Sequence, residues 1–183
     1  MKVFFDTEFT GLHQNTTLIS LGIISEAGHE FEAELTDYDE SQVDDWLRKN
    51  VIDKLSGDPS VKTTMPKLKG QLTDWLEMVH KESGEQIEVV SDCLAYDSVL
   101  FNQIFGRAFN IPECVSYIPT DICTMFRDRG IDPDISREEF IKEYGIASEA
   151  EKHNALYDAI VIRACYEKLQ TINIKPKEEA ATI

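Results

Sequence analysis

The sequence has few positive charges and few cysteines, and it contains no long hydrophobic run. Its 18 Lys and Arg residues are outnumbered by 34 Asp and Glu residues, which gives a formal net charge of −16. Proteins that follow a long nucleic-acid duplex are usually basic, so this charge argues against duplex tracking. The negative charge is compatible with a metal-binding protein or with an enzyme whose substrate is not a nucleic acid. It is also compatible with an enzyme that binds only the end of a short nucleic-acid strand through divalent cations.

The four cysteines are widely spaced and form no CxxC pair, which gives neither a zinc signature nor a disulfide framework. No segment has the length and hydrophobicity needed to span a bilayer. The N-terminal MKVFFDTEF enters a strand-like run without the layout of a signal peptide. We therefore expect free thiols in a soluble cytoplasmic protein that makes no contact with a membrane.

What the chain does contain suits one globular domain, because 42% of its 183 residues are hydrophobic. Apolar and alternating runs predict strands at 2–6, 17–25 and around 31–35, and Gly28 supplies a turn between the last two. Further along, helical spacing alternates with short apolar runs. We predict helical segments at 40–55, 66–81, 97–109, 121–129, 136–144 and 154–170, strands at 86–91 and 115–118, and a loop at 56–64.

This order predicts an α/β fold in which a mixed sheet is flanked by helices. We expect the domain to cover residues 1–172 and the polar residues 173–183 to form a disordered tail.

The first candidate site residues are Asp6 and Glu8, which follow the apolar Val3-Phe4-Phe5. Residues two apart on a strand face the same side, so both carboxylates would project together. At ~4 Å they would repel by roughly 4 kcal/mol at an effective dielectric near 20, a penalty that a divalent cation would offset. Without further acidic residues elsewhere in the chain, two such carboxylates would be explained equally well by the solvated end of a strand.

Two further acidic positions lie later in the chain. Asp97 begins a helical stretch soon after an apolar strand, where an Asp also serves as a helix N-cap, and Asp92 competes with it in the same loop. In HNALYDA, Asn154 is a candidate N-cap that leaves His153 outside the helix and Asp158 one turn inside it. That arrangement suits Asp158 as a rigidly held metal ligand and His153 as a mobile general base. Taken singly, each residue is also common on a protein surface.

Together, these segments resemble the three motifs of the DEDD 3′–5′ exonuclease superfamily. Asp6-Thr7-Glu8 with Thr10-Gly11-Leu12 is similar to the first motif, and Ala95-Tyr96-Asp97 to the second. His153-Asn154-Ala155-Leu156 with Asp158 is similar to the third, and His153 indicates the histidine subclass, DEDDh. The second motif departs from many relatives, in that Asp92-Cys93-Leu94 precedes its Asp, which leaves an accessory role for Asp92 open.

The resemblance implies a ribonuclease H-like fold and hydrolysis assisted by two divalent cations per active site, Mg²⁺ or Mn²⁺. Asp6 would bridge both cations, Glu8 and Asp158 would hold the first, and Asp97 would hold the second. His153 would take a proton from the attacking water, and the products would be nucleoside 5′-monophosphates.

The resemblance also implies that Phe9, Thr10, Gly11 and Leu12 seat the terminal nucleotide, although core packing would explain Phe9 and Leu12 equally well. We therefore predict a 3′–5′ exoribonuclease that acts on single-stranded RNA 3′ ends, with a homodimer as a further expectation. An exodeoxyribonuclease of the proofreading type, which acts on single-stranded DNA, stays open as an alternative. The catalytic residues do not distinguish a substrate with ribose from one with deoxyribose. A non-catalytic nucleic-acid-binding module is a weaker alternative, since no carboxylate is missing.

Two groups of basic residues are candidates for guiding the strand. One comprises Lys62, Lys67 and Lys69, and the other comprises Arg127, Arg129 and Arg137. Ordinary solvated faces explain both groups equally well.

Overall fold

The computed structural model describes residues 1–146, 148 and 152–174 of the chain. Six strands form one mixed sheet in the order β4-β3-β2-β1-β5-β6. Their bounds are β1 Lys2–Phe9, β2 Leu18–Ser25, β3 Glu30–Leu35, β4 Lys62–Thr63, β5 Glu88–Ser91 and β6 Thr120–Asp121. The predicted α/β fold with a mixed, helix-flanked sheet is confirmed. The predicted tail lies outside the described residues from position 175 onward.

Helices cover both faces of this sheet. They are α1 Asp45–Asn50, α2 Met65–Ser83, α3 Ala95–Ile104, α4 Ile122–Asp128, α5 Arg137–Phe140 and α6 Ala155–Gln170. Short 3₁₀ turns lie at Glu40–Gln42, Ile52–Lys54, Ala108–Asn110 and Lys142–Tyr144. None of the helices described has both the length and the apolar character that a membrane crossing requires.

Strand β1 lies near the middle of the sheet, antiparallel to β2 and parallel to β5. Its side chains alternate between the two faces. Val3 and Phe5 belong to the core on the side of α2 and α3, whereas Phe4 belongs to the core on the side of α4 and α6. By the same alternation, Asp6 and Glu8 point toward α6 while Thr7 points toward α3. The strand therefore presents different polar groups to the two helical layers.

The predicted helical segment at 40–55 is wrong as one continuous element. It consists of a 3₁₀ turn, the six-residue α1 and a second 3₁₀ turn. Asp44 caps α1 by accepting a hydrogen bond from the Leu47 N–H at 2.8 Å. Val51 ends α1 with φ −119° and ψ −64° and is completely buried. Packing of this short segment onto β2 therefore replaces a regular helix.

Several other boundaries also differ from the prediction. The predicted loop 56–64 contains strand β4, which pairs with β3 in parallel. Of the predicted strand 115–118, only Val115 makes a bridge, to Ile87, and the strand at this sheet edge is β6 instead. Strand β1 continues three residues past 6, and α3 begins at Ala95 and ends well before 109. The segment at 136–144 splits into α5 and a 3₁₀ turn.

Candidate active site

The first part of the site forms where the end of β1 meets the start of α6. Asn154 caps α6, and its side-chain oxygen accepts a hydrogen bond from the Tyr157 N–H at 2.9 Å. The predicted cap is thus confirmed, and Asp158 lies in the first turn of the helix. This turn faces the same side of the sheet as Asp6 and Glu8.

Glu8, His153 and Asp158 come together at this junction. One ligand atom from each residue lies within 4.8 Å of the other two. The His153 Nδ1 is 3.5 Å from the Glu8 Oε1, and the His153 backbone N–H donates to the Asp158 Oδ2 at 2.9 Å. His153 adopts φ 64°, the left-handed region that is uncommon for residues other than glycine. The surrounding contacts hold it in this conformation.

The electrostatics of the site are those of crowded carboxylates. Burial, followed by the charges of Asp97, Asp158 and Glu8, raises the pKa of Asp6 well above its usual value. Burial, followed by the charge of Glu8, raises the pKa of Asp158 to about 7. A divalent cation would relieve this repulsion, and carboxylate oxygens are the ligands that Mg²⁺ and Mn²⁺ prefer. The residues present therefore fit such an ion.

Asp97 is buried and makes two hydrogen bonds to hydroxyl groups. Thr7 Oγ1 donates to its Oδ1, and Ser91 Oγ donates to its Oδ2 at 2.6 Å. Burial raises its pKa to about 6, and the two hydrogen bonds oppose that rise. Asp97 is the third residue of α3 and makes no capping bond, so the N-cap interpretation is wrong. It lies outside the group of three formed by Glu8, His153 and Asp158, although its charge acts on Asp6.

Asp92 is held in an ion pair. Arg137 Nε and Nη2 donate to its two carboxylate oxygens at 2.6 and 2.8 Å, and Cys123 Sγ donates at 3.0 Å. Arg137 also lies over the Phe126 ring at 4.6 Å. Arg129 Nε donates to the Leu169 carbonyl at 2.6 Å. Arg129 and Arg137 thus serve internal contacts, Arg127 is exposed, and the role of the three in guiding the strand stays a prediction.

A cavity of about 520 Å³ opens beside Glu8 and His153, and Phe9–Leu12 line it. Phe9 stacks on Tyr96 with ring centroids 5.4 Å apart. The Leu12 side chain is 77% exposed, which rules out core packing for this residue. Thr10 is buried and accepts a hydrogen bond from the Thr17 N–H at 2.8 Å. These contacts fix the loop after β1 and leave Leu12 at the cavity.

Sequence reasoning did not identify two further residues that line this cavity, Gln42 and Trp46. Trp46 shares its helical spacing with Leu47 and Val51, so spacing alone predicts burial for all three, and Leu47 and Val51 are buried. Trp46 is instead 55% exposed, and its ring edge contacts the His153 imidazole with centroids 5.3 Å apart. The only available signal was an aromatic residue in an otherwise polar and acidic stretch.

Comparisons with known proteins agree on one family. The model of the "3'-5' exoribonuclease Rv2179c-like domain" matches residues 1–170. Two proteins of Mycobacterium tuberculosis, the 3′–5′ exoribonucleases Rv2179c and MT2234.1, are each 29% identical to the chain over 131 residues. The matched region covers 71% of this chain and 76% of either relative.

Solved structures share the fold. The 3′-exonuclease described in "3'-end specific recognition of histone mRNA stem-loop by 3'-exonuclease" superposes with a TM-score of 0.62 at 14% identity, over 99% of this chain and 68% of that one. Exonuclease I superposes with a TM-score of 0.60 at 11% identity, over 94% of this chain and 41% of that one. The fold implied by the resemblance, that of ribonuclease H-like exonucleases, is thereby confirmed.

Proposed function

The chain belongs to the family of Rv2179c-like 3′–5′ exoribonuclease domains and is a 3′–5′ exoribonuclease, and on this premise we propose that it hydrolyses single-stranded RNA ends with the help of divalent cations. One observation supports the proposal most strongly. Glu8, His153 and Asp158 bring potential ligand atoms within 4.8 Å of one another beside a cavity that Phe9–Leu12 line. Ligands and a proton acceptor thus lie at the edge of a space that suits a nucleotide.

Two cations would be held by the four carboxylates. Glu8 and Asp158 would bind the first, Asp6 would be shared, and Asp97 would bind the second through water, since both of its oxygens already accept hydroxyl hydrogen bonds. When bound, such a pair of cations supplies positive charge that stabilises the attacking and leaving oxygens. The crowding that raises the pKa of Asp6 and Asp158 supports this assignment, because the cations would offset it.

His153 would act as the general base. Its side chain is 39% exposed and lies at the cavity, where the imidazole can accept a proton from the attacking water. A hydrogen bond to Glu8 raises the pKa of His153, which makes the imidazole a stronger base but leaves it free to accept a proton only above that raised pKa. Attack on the terminal phosphodiester would release a nucleoside 5′-monophosphate and leave a new 3′-hydroxyl on the RNA.

The terminal nucleotide would occupy the cavity beside Phe9–Leu12. Leu12 and Trp46 offer apolar surfaces on which a base can pack. Packing of a base on an aromatic face is tolerant of sequence, because every base has such a face. Gly11, at φ 152°, allows the loop to turn without a side chain at that point. Gln42 supplies a polar group at the cavity that would contact the sugar, and the buried Thr10 would hold Gln42 in place through its hydroxyl.

The test is an RNA-shortening assay. RNA labelled at its 5′ end is incubated with the protein in Mg²⁺, in Mn²⁺ or in a chelator, and single-stranded DNA of the same sequence is run in parallel. We expect a ladder of RNA products one nucleotide apart, with nucleoside 5′-monophosphates released only when a cation is present. Faster DNA shortening would favour the exodeoxyribonuclease alternative. Shortening of RNA in the chelator would contradict the metal dependence.

A further inference from the structure

The segment from Asp45 to Lys54 is fixed firmly to the sheet. Leu47 and Val51 are buried against Ile19 of β2. Immediately beyond the segment, the Ser56 N–H donates to the buried Glu34 Oε1 at 2.5 Å. Contacts at both of these points leave the segment little freedom to shift. A side chain that it presents to the active site is therefore well placed to hold another group in position.

Lys54 extends from this segment to the backbone next to His153. Its Nζ donates to the Lys152 carbonyl oxygen at 2.6 Å. That carbonyl belongs to the peptide group between Lys152 and His153, and the N–H of the same peptide group donates to the Asp158 Oδ2 at 2.9 Å. Both polar atoms of one planar peptide are thus engaged, one from each side of the site.

This peptide group determines where the imidazole lies. His153 adopts φ 64°, a conformation that persists only when neighbouring contacts hold it. Rotation of the preceding peptide plane would move the imidazole away from Glu8 Oε1, which lies 3.5 Å from its Nδ1. A hydrogen bond from a charged ammonium group is stronger than one from a neutral donor, so it resists that rotation well.

We propose that Lys54 is a positioning residue of the nuclease reaction, which orients the general base by holding the Lys152 carbonyl. This rests on the proposed role of His153 as that base. Lys54 would act through the peptide before His153 and would touch neither the RNA nor the attacking water. Its contribution should therefore appear in the rate of the chemical step and leave substrate binding unchanged.

The first test compares Lys54→Met, which keeps an unbranched side chain one atom shorter but removes the donor, with Lys54→Arg, which keeps a donor. Lys49→Met is the matched control, because it removes one positive charge from the exposed side of α1. A displaced base lowers the rate by ~10- to 100-fold, so we expect kcat of Lys54→Met to fall in that range with KM unchanged. Lys54→Arg should regain most of the rate, and Lys49→Met should match the wild type.

The proposal would be overturned by a raised KM at unchanged kcat, which would mean that Lys54 grips RNA. An equal loss of rate in Lys49→Met would also overturn it, because a general effect of charge would then suffice. Thermal melting of each variant accompanies the assay. Should Lys54→Met fail to fold, Lys54→Arg decides alone: a kcat near that of the wild type supports the proposal, and a KM rise without a kcat change overturns it.

A double-mutant cycle separates this inference from the function on which it rests. His153→Ala is combined with Lys54→Met, and kcat is compared across the four proteins. If Lys54 acts through His153, Lys54→Met should cost nothing further once the imidazole is gone. Multiplied losses would overturn the positioning role while leaving the base intact. Full activity in His153→Ala alone would instead contradict the proposed function.

Discussion

A Cβ atom placed on Gly22 would lie 2.1 Å from the backbone nitrogen of Leu156. Gly22 is the β2 partner of Asp6 in the antiparallel ladder, and Leu156 lies in the first turn of α6, which also carries Asp158. The bare backbone at Gly22 therefore lets α6 approach the sheet directly opposite the first carboxylate of the site. Any larger residue there would push the third motif away from the first.

Gly22→Ala should accordingly disrupt both the fold and the site. The clash is with backbone atoms, which cannot rotate aside, so we expect a loss of more than about 3 kcal/mol in the free energy of unfolding. Chemical denaturation and RNA cleavage measure the two effects. Gly70→Ala is the control, since Gly70 lies within α2 with open space around it and should gain about 1 kcal/mol from the better helix former. Wild-type stability in Gly22→Ala would contradict the close contact.

Asp158→Asn and Asp6→Asn should each remove most of the activity. Both changes keep the shape of the side chain but remove the charge that would bind a cation, and because loss of a residue that merely supports a ligand already costs about 10- to 100-fold, we expect at least that loss here. Cleavage and Mn²⁺ binding are measured on the same preparations. Asp74→Asn, at an exposed position of α2, should leave both unchanged. Wild-type cleavage in either site variant would refute its assignment as a ligand.

The stability of the metal-free protein should fall as pH rises. Burial holds the pKa of Asp158 at about 7 and that of Asp97 at about 6 in the folded state, against 3.8 for an ordinary Asp. The folded state thus binds more protons than the unfolded state in this window, so the free energy of unfolding decreases from about pH 4 to about pH 7. The raised pKa of His153 acts in the same direction.

Melting curves in a chelator, at about pH 5 and about pH 8, test this dependence. We expect the lower melting temperature at the higher pH, and Asp158→Asn should flatten the slope. Saturating Mn²⁺ should restore stability at the higher pH, by about 2.7 kcal/mol at 100 times its dissociation constant. A melting temperature that rises with pH would contradict the crowding of carboxylates.

Leu12 and Trp46 should contribute mainly to substrate affinity. Both expose large apolar surfaces at the cavity, so Leu12→Ala and Trp46→Ala should raise KM for RNA, with about 1–3 kcal/mol lost when a base loses its aromatic partner. Trp46→Ala should also lower kcat, because its ring contacts His153. Phe109→Ala is the control, since Phe109 is 95% exposed and does not line this cavity. An unchanged KM in both variants would argue against this cavity as the substrate site.

Local rules predicted the strands and helices of the α/β class, the shared face of Asp6 and Glu8 and the start of α6, whereas the meeting of the first and third motifs was implied only by the resemblance to the exonuclease superfamily. Alternation along β1 directs Asp6 and Glu8 to one face, and the Asn154 cap fixes Asp158 one turn into α6. Those rules depend only on neighbouring residues. They hold whatever the rest of the chain does.

The features that local rules missed all depend on distant contacts. The orientation of Asp97 depends on hydroxyls of Thr7, ninety positions earlier, and of Ser91. The exposure of Trp46 depends on how the segment after β3 turns over β2, which helical spacing does not report. The edge strand β6 forms because Thr120 pairs with Val90 and Asp121 pairs with Ser91 of β5. The more apolar segment 115–118 makes a single bridge, from Val115 to Ile87.

The most direct measurement is a titration with Mn²⁺ in the presence of a nucleoside 5′-monophosphate, which counts the bound ions per chain by electron paramagnetic resonance. We predict two ions for the wild type and loss of both in Asp6→Asn, because Asp6 would be shared between them. Failure of the wild type to bind Mn²⁺, or retention of both ions in Asp6→Asn, would contradict a single site built from Asp6, Glu8, Asp97 and Asp158 beside His153.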